Sequence, residues 1–274
     1  MIHDMKLGDL AVREARVESP AGPPILFIHG ILAGPWYFEG YQRFFAERGY
    51  PSFAVSLRGR PESRPVPDLG RIGLEEFVSD ALEVARWIGR PIVIGHSMGG
   101  LIAQRLAEEN VSDIVVLLSS ASPKGIQLTT PRLMLKQIKH LGSLLRLAPI
   151  RSTRADSDDL IFNRMPAETR ADLHALLLPD SALAARQLSF GTVAVDERRV
   201  RCAMLIASGL EDRFIAPRVA RQLAAKYGAP CWQYPANAHF LPMEPGWERI
   251  AEDVESWIRR RLDQSSLLSP GGAT

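Results

Sequence analysis

From residue 24 onward, short apolar runs alternate with longer stretches in which apolar positions recur every three or four residues. Residues 25–28, 53–57, 92–94, 114–118 and 203–207 are rich in Ile, Val and Leu and lack polar alternation. That is the pattern of strands covered on both faces of a parallel sheet. A shorter strand is expected at 231–234. Between the runs, Leu74, Phe77, Val78, Ala81, Leu82, Ala85 and Ile88 fall on one face of a helix, with Glu75, Glu76, Asp80, Glu83 and Arg86 opposite. Trp247, Ile250, Ala251, Val254, Trp257, Ile258 and Leu262 define a late helix in the same way. Strands alternating with helices imply right-handed βαβ units, hence an α/β fold with a doubly wound, mostly parallel sheet. The first 18 residues differ. Leu10, Val12, Ala15 and Val17 alternate with polar residues, as in an antiparallel edge hairpin with one wet face.

Residues 124–196 break the alternation. Leu and Met are plentiful there, Pro recurs, and strand-like runs are missing. A helical insertion of this size between two strands is most simply a cap over the carboxyl edge of the sheet, where ligands bind in open α/β folds. The expected organisation is therefore a core of residues 1–123 and 197–264, a cap of 124–196, and a frayed tail of 265–274.

Composition narrows the function classes. The 274 residues are 46% hydrophobic and 23% charged, with 33 Lys+Arg against 31 Asp+Glu, which excludes a mainly disordered chain. A net charge of +2 gives no reason to expect a nucleic-acid partner. No apolar run is long enough for a membrane span or a signal peptide, so a cytoplasmic protein without stable membrane insertion is expected. Cys202 and Cys231 cannot build a disulfide framework or a metal site alone and read as buried free thiols. Arg132, Lys136, Lys139, Arg146, Arg151 and Arg154 make the first half of the insertion basic. We read them as a solvated helix face, with an anionic substrate or membrane headgroup as the alternative.

The candidate chemistry begins at Gly95-His96-Ser97-Met98-Gly99, between an apolar run and a helical pattern. A serine in a tight strand-to-helix turn needs small residues two positions before and after it, because the two backbones approach closely. Such a turn lifts the hydroxyl clear of the sheet edge, over the positive end of the following helix. The plain alternative is a serine that only caps that helix. The loop His29-Gly30-Ile31-Leu32-Ala33-Gly34 follows the first parallel strand, so the backbone N–H groups of Ile31 and Met98 are candidate oxyanion donors; an ordinary strand-exit turn is the alternative. Asp212 follows the strand at 203–207, with Glu211 as competitor and a helix-capping role as the bland reading. His239 alone of the six histidines lies beyond a late strand and before the last helix; His29 and His96 read as structural. The chain order Ser97, Asp212, His239 is that of an α/β-hydrolase nucleophile, acid and base.

From residue 24 to about 261 the chain resembles the α/β-hydrolase superfamily, particularly capped serine esterases and lipase-like or lysophospholipase-like members. The residues that carry the likeness are His29-Gly30, Gly95-His96-Ser97-Met98-Gly99-Gly100, Gly209 with Asp212, and Ala238-His239-Phe240-Leu241-Pro242-Met243-Glu244-Pro245. The resemblance implies an eight-stranded sheet, a helical cap after the sixth strand, and no cofactor. It also separates the chain from haloalkane dehalogenases and related epoxide hydrolases, which place an aspartate where Ser97 stands.

Together these readings predict a serine hydrolase that cleaves a carboxylic ester or thioester of a small hydrophobic substrate through an acyl-enzyme. Carbon–carbon bond hydrolysis, lactone opening, perhydrolysis and a non-catalytic receptor are the alternatives, because one triad serves many chemistries. Trp36, Tyr37, Phe38, Met134 and Phe240 are candidate pocket residues; gluing cap to sheet is their alternative role. The natural ester and the oligomeric state are not written in the sequence.

Overall fold

The computed structural model describes residues 2–268. One eight-stranded sheet organises them: β1 (Ile2–Leu7), β2 (Leu10–Ala15), β3 (Ile25–Ile28), β4 (Ser52–Ser56), β5 (Ile92–His96), β6 (Ile114–Leu118), β7 (Ala203–Gly209) and β8 (Cys231–Tyr234). Their spatial order is β1-β2-β4-β3-β5-β6-β7-β8. The first three in that order pair antiparallel and the rest parallel. β3 to β6 are buried along their whole length, which is why they carry no polar alternation. The edge hairpin turns at Gly8-Asp9 and not around Arg13-Glu14: Leu10–Ala15 is one strand, Val17 lies beyond it, and Gly8 takes the positive φ of 54° that the reversal requires.

Helices α1 (Glu39–Glu47), α2 (Leu74–Ile88) and α3 (Met98–Glu108) alternate with the early strands. Between β6 and β7 lie α4 (Pro131–Gln137), α5 (Leu141–Arg146), the single turn α6 (Arg154–Asp156), α7 (Arg170–Ala175) and α8 (Ala182–Phe190), with no strand longer than an isolated bridge. α9 (Pro217–Tyr227) and α10 (Trp247–Leu268) close the chain. α10 passes the expected start of the tail at 265, and residues 269–274 lie outside the described residues. α1 packs against α10 on one side of the sheet; α2 packs against α3 on the other, where Tyr227 of α9 donates to Gln104 of α3. Among the described residues no helix is long and apolar enough to cross a membrane.

After β3 the chain moves outward to β4, then crosses back to β5 on the other side of β3. The carboxyl ends of β3 and β5 therefore flank the point where the winding reverses, and the loops leaving them part to open a crevice. Both loops carry candidate residues. Cys202 and Cys231 are free and half-buried, and burial raises both thiols above their ordinary pKa, that of Cys202 to about 11.

Candidate active site

Ser97 sits between β5 and α3 with φ 56° and ψ −120°, a strained backbone that persists only where its surroundings enforce it. The surroundings here are backbone. A Cβ on Gly95 would lie 2.2 Å from the Gly99 carbonyl oxygen, and one on Gly99 would lie 2.1 Å from that of Ile28. Glycine is thus required on both sides of Ser97 for the strand and helix to meet. Gly30 permits a third close approach, since its Cβ would stand 3.0 Å from that of Ser97.

His239 and Asp212 converge on this serine. His239 Nε2 lies 3.1 Å from Ser97 Oγ, and His239 Nδ1 lies 2.9 Å from Asp212 Oδ2. The other Asp212 oxygen accepts from the backbone N–H groups of Phe214 at 2.9 Å and Ile215 at 2.8 Å, so its carboxylate is aimed at the imidazole rather than capping α9, whose N-cap is Ala216. All three side chains are buried. Glu211, the competitor, is exposed and reaches Arg164. Among the described residues the amides of Ile31 and Met98 donate to no other group, which leaves both N–H groups free beside Ser97. Their positions follow from adjacent parallel strands, Ile28 of β3 being paired with Gly95 of β5.

Several supports lie outside the sequence reading. His96 Nδ1 accepts from the Tyr37 hydroxyl at 3.0 Å, which itself accepts the Gly30 N–H at 2.6 Å. That leaves the proton on His96 Nε2, which donates to the His239 carbonyl at 2.8 Å. Burial, reinforced by the nearby His239, holds the His96 pKa well below the usual histidine range; the neutral ring is a fixed strut. Glu244 is buried, and its carboxylate accepts from the N–H groups of Ala238 at 2.6 Å and Phe240 at 2.9 Å, bracketing His239. Burial raises the Glu244 pKa. Glu244 belongs to a motif block already visible in the sequence, but its role as a bracket was not.

A second device holds the loop that carries Ile31. Asp180, between α7 and α8, accepts from the N–H of Leu32 at 2.6 Å and of Ser181 at 2.7 Å, and pairs with the guanidinium of Arg60. Arg60 Nε donates in turn to the Ala33 carbonyl at 2.7 Å, and Leu178 N–H to the Leu32 carbonyl at 2.8 Å. The Asp180 side chain is 0% and the Arg60 side chain 1% exposed. Leu32 adopts φ 65°, which this ring of contacts enforces.

A cavity of about 110 Å³ opens from Ser97 and Ile31 beneath the helical segment, with Leu128, Leu133, Leu160, Leu188 and Phe214 on its walls. Tyr37 and Phe240 line a smaller void of about 20 Å³ beside Ser97 and His239. The other expected pocket residues lie elsewhere. Phe38 is fully buried and stacks on Phe27 at 4.8 Å, so it belongs to the sheet core. Trp36 packs on Phe240 and Tyr37 outside both cavities. Met134 is 59% exposed; the helical twist turns its neighbour Leu133 into the cavity instead. Among the described residues no group of three or more His, Cys, Asp and Glu side chains is arranged to hold a metal ion.

Comparison with known proteins accords with this architecture. Over 99 residues, 35% of the chain, the sequence is 29% identical to bifunctional epoxide hydrolase 2 of Sus scrofa, a match that spans only 18% of that protein. The fold superposes on a hydrolase from Pseudomonas aeruginosa with a TM-score of 0.71 at 18% identity, covering 94% of this chain and 98% of the other. A thermophilic esterase from Thermogutta terrifontis gives 0.69 at 19% identity, covering 91% and 94%. The sequence model described as the alpha/beta hydrolase family matches residues 25–253, which include the turn at Ser97, the Asp212 loop and His239: the chain belongs to the alpha/beta hydrolase family.

Proposed function

We propose that the protein is a serine hydrolase of carboxylic esters or thioesters with an apolar acyl or alcohol group. The observation that carries this reading is the unbroken row Asp212–His239–Ser97, its hydroxyl end opening into the apolar cavity. Asp212 fixes the His239 tautomer with its proton on Nδ1, so that Nε2 is free to accept the proton of Ser97. Ser97 Oγ attacks the carbonyl carbon, and His239 takes the hydroxyl proton. The tetrahedral oxyanion is held by the Ile31 and Met98 N–H groups, each worth a few kcal/mol of barrier. Collapse of that intermediate expels the alcohol or thiol, which takes its proton from His239 and leaves an acyl-Ser97. Water, deprotonated by the same imidazole, then releases the acid.

Residues 124–196 serve as a cap in this reading, since they roof the cavity. A serine at the turn, rather than a carboxylate, favours acyl transfer over the epoxide opening named in the pig relative. The test is a chain-length series of p-nitrophenyl esters, with lactones and 2,6-diketo compounds in parallel, on wild type and Ser97→Ala. Turnover of acyl esters and fluorophosphonate labelling, both lost in Ser97→Ala, are expected. Near-wild-type ester turnover by Ser97→Ala would refute the assignment. Selective cleavage of the diketo compounds would move the function to carbon–carbon bonds.

A further inference from the structure

Residues 124–155 hold seven Lys and Arg and no Asp or Glu, in a protein whose net charge is only +2. In the middle of this stretch α4, a short 3-10 turn and α5 follow one another without a break from Pro131 to Arg146. Met134, Ile138, Leu141 and Leu145 recur at steps of four, three and four, which aligns them along one stripe of successive helical turns. With Leu135 they are five of the nine large hydrophobic side chains exposed among the described residues, each at least half exposed. About a quarter turn round the same segment another apolar face follows, because Leu133 and Leu144 line the cavity that leads to Ser97. Helix-core packing therefore does not account for the outer stripe.

The same segment carries basic residues. Arg132, Lys136 and Lys139 are anchored by Asp156 and Asp159. Arg146, next to Leu145, is exposed and joins no carboxylate among the described residues, whereas Lys124 precedes the segment in the chain and Arg151 lines the cavity. An apolar stripe with Lys139 and Arg146 beside it on the same segment suits an interface that is hydrocarbon inside and anionic at its surface.

We propose that this segment is a peripheral docking surface for an anionic lipid layer. The stripe settles into the headgroup and acyl boundary, the basic residues meet the lipid phosphates, and no chain crosses the layer. The cavity wall at Leu133 and Leu144 is then next to the lipid, which gives apolar esters a short path to Ser97. That last step rests on the proposed hydrolase reading; the docking itself does not.

The test is flotation of the full chain with phosphatidylcholine vesicles, with and without phosphatidylglycerol, at low and high salt. One unpaired basic residue beside the stripe, at about 1 kcal/mol near an anionic surface, predicts partitioning at least about fivefold weaker to the neutral vesicles, and release by salt. Leu135→Glu/Ile138→Glu/Leu145→Glu, which touches no cavity residue, is expected to abolish flotation while keeping fluorophosphonate labelling at Ser97. Lys139→Gln/Arg146→Gln, which leaves the stripe intact, is expected to weaken binding to anionic vesicles alone, and it decides the matter if the triple variant does not fold. No flotation by wild type, or equal flotation on neutral vesicles, overturns the proposal. So does a dimer that the triple variant dissolves without any vesicle binding, because the stripe then belongs to a second copy. Flotation without labelling would instead overturn the hydrolase reading and leave the surface standing.

Discussion

Asp180→Ala tests the link between the helical segment and the loop that carries Ile31. The substitution removes one member of a pair whose side chains are 0% and 1% exposed, and strands a guanidinium in the interior. Losing one partner of a buried ion pair costs about 3–5 kcal/mol, because the remaining charge keeps its desolvation penalty without its counter-charge. The Leu32 and Ser181 N–H groups also lose their acceptor. Against a total stability of roughly 5–15 kcal/mol, urea denaturation should show a large fall in the midpoint. Arg60→Met/Asp180→Leu should recover most of it, since Arg60 Nη1 has no partner even in the wild type and an apolar pair of similar volume is often no worse. Turnover should not recover with stability. In the double variant Leu32 N–H still has no acceptor, so the amide of Ile31 beside it is no longer held in register with Met98. The expected split is near-wild-type stability, kcat lowered about tenfold or more, and little change in KM, since in the proposed mechanism a loosened oxyanion donor costs the transition state and not the ground state. A loss under about 1 kcal/mol in Asp180→Ala would refute the buried-pair argument. Full turnover in the double variant would refute the positioning argument.

Three further outcomes follow from the same geometry. In Asp212→Asn the oxygen stays on the Phe214 and Ile215 amides and the NH2 faces His239 Nδ1, forcing the proton onto Nε2; turnover should fall on the order of 10³–10⁴-fold with KM little changed, and a loss under tenfold would count against the tautomer argument. Gly99→Ala places a methyl 2.1 Å from the Ile28 carbonyl oxygen, so soluble protein should fall sharply and any folded fraction should fail to label at Ser97; normal yield and labelling would show that the turn can relax. Burial, with the Arg60 charge adding to it, lowers the His29 pKa from 6.5 to about 3, so His29 enters the folded state neutral while the unfolded chain protonates near 6.5. Its stability contribution is therefore complete above pH 6.5 and is lost as pH falls toward 3, at roughly 1.4 kcal/mol per pH unit; His96 is lowered in the same direction and adds to the slope. Urea midpoints that stay flat from pH 7 to 5 would contradict it.

The sequence alone determined the parallel strands, the helix between β4 and β5, and the chain order of Ser97, Asp212 and His239. Runs such as 114–118 read as strands buried on both faces, as they are, and the helix expected at Leu74–Ile88 has those bounds in the structure. Gly95 and Gly99 flank Ser97 because a turn between adjacent elements leaves its mark within five residues. These signals are local, and a window of the chain contains them whole. Only the tertiary structure decided which face of α4 looks inward, so that Leu133 meets the cavity and Met134 meets solvent. It alone joined Arg60 to Asp180 across 120 residues, His96 to the His239 carbonyl across 143, and Glu244 to the two amides that bracket His239. A lone Arg or Asp in a loop has no periodicity to betray it; its partner is chosen by where strands end and how the chain folds back over them. The apolar residues of the helical segment pose the same problem twice over, since two faces of α4 and α5 are apolar and composition cannot say which face the core takes.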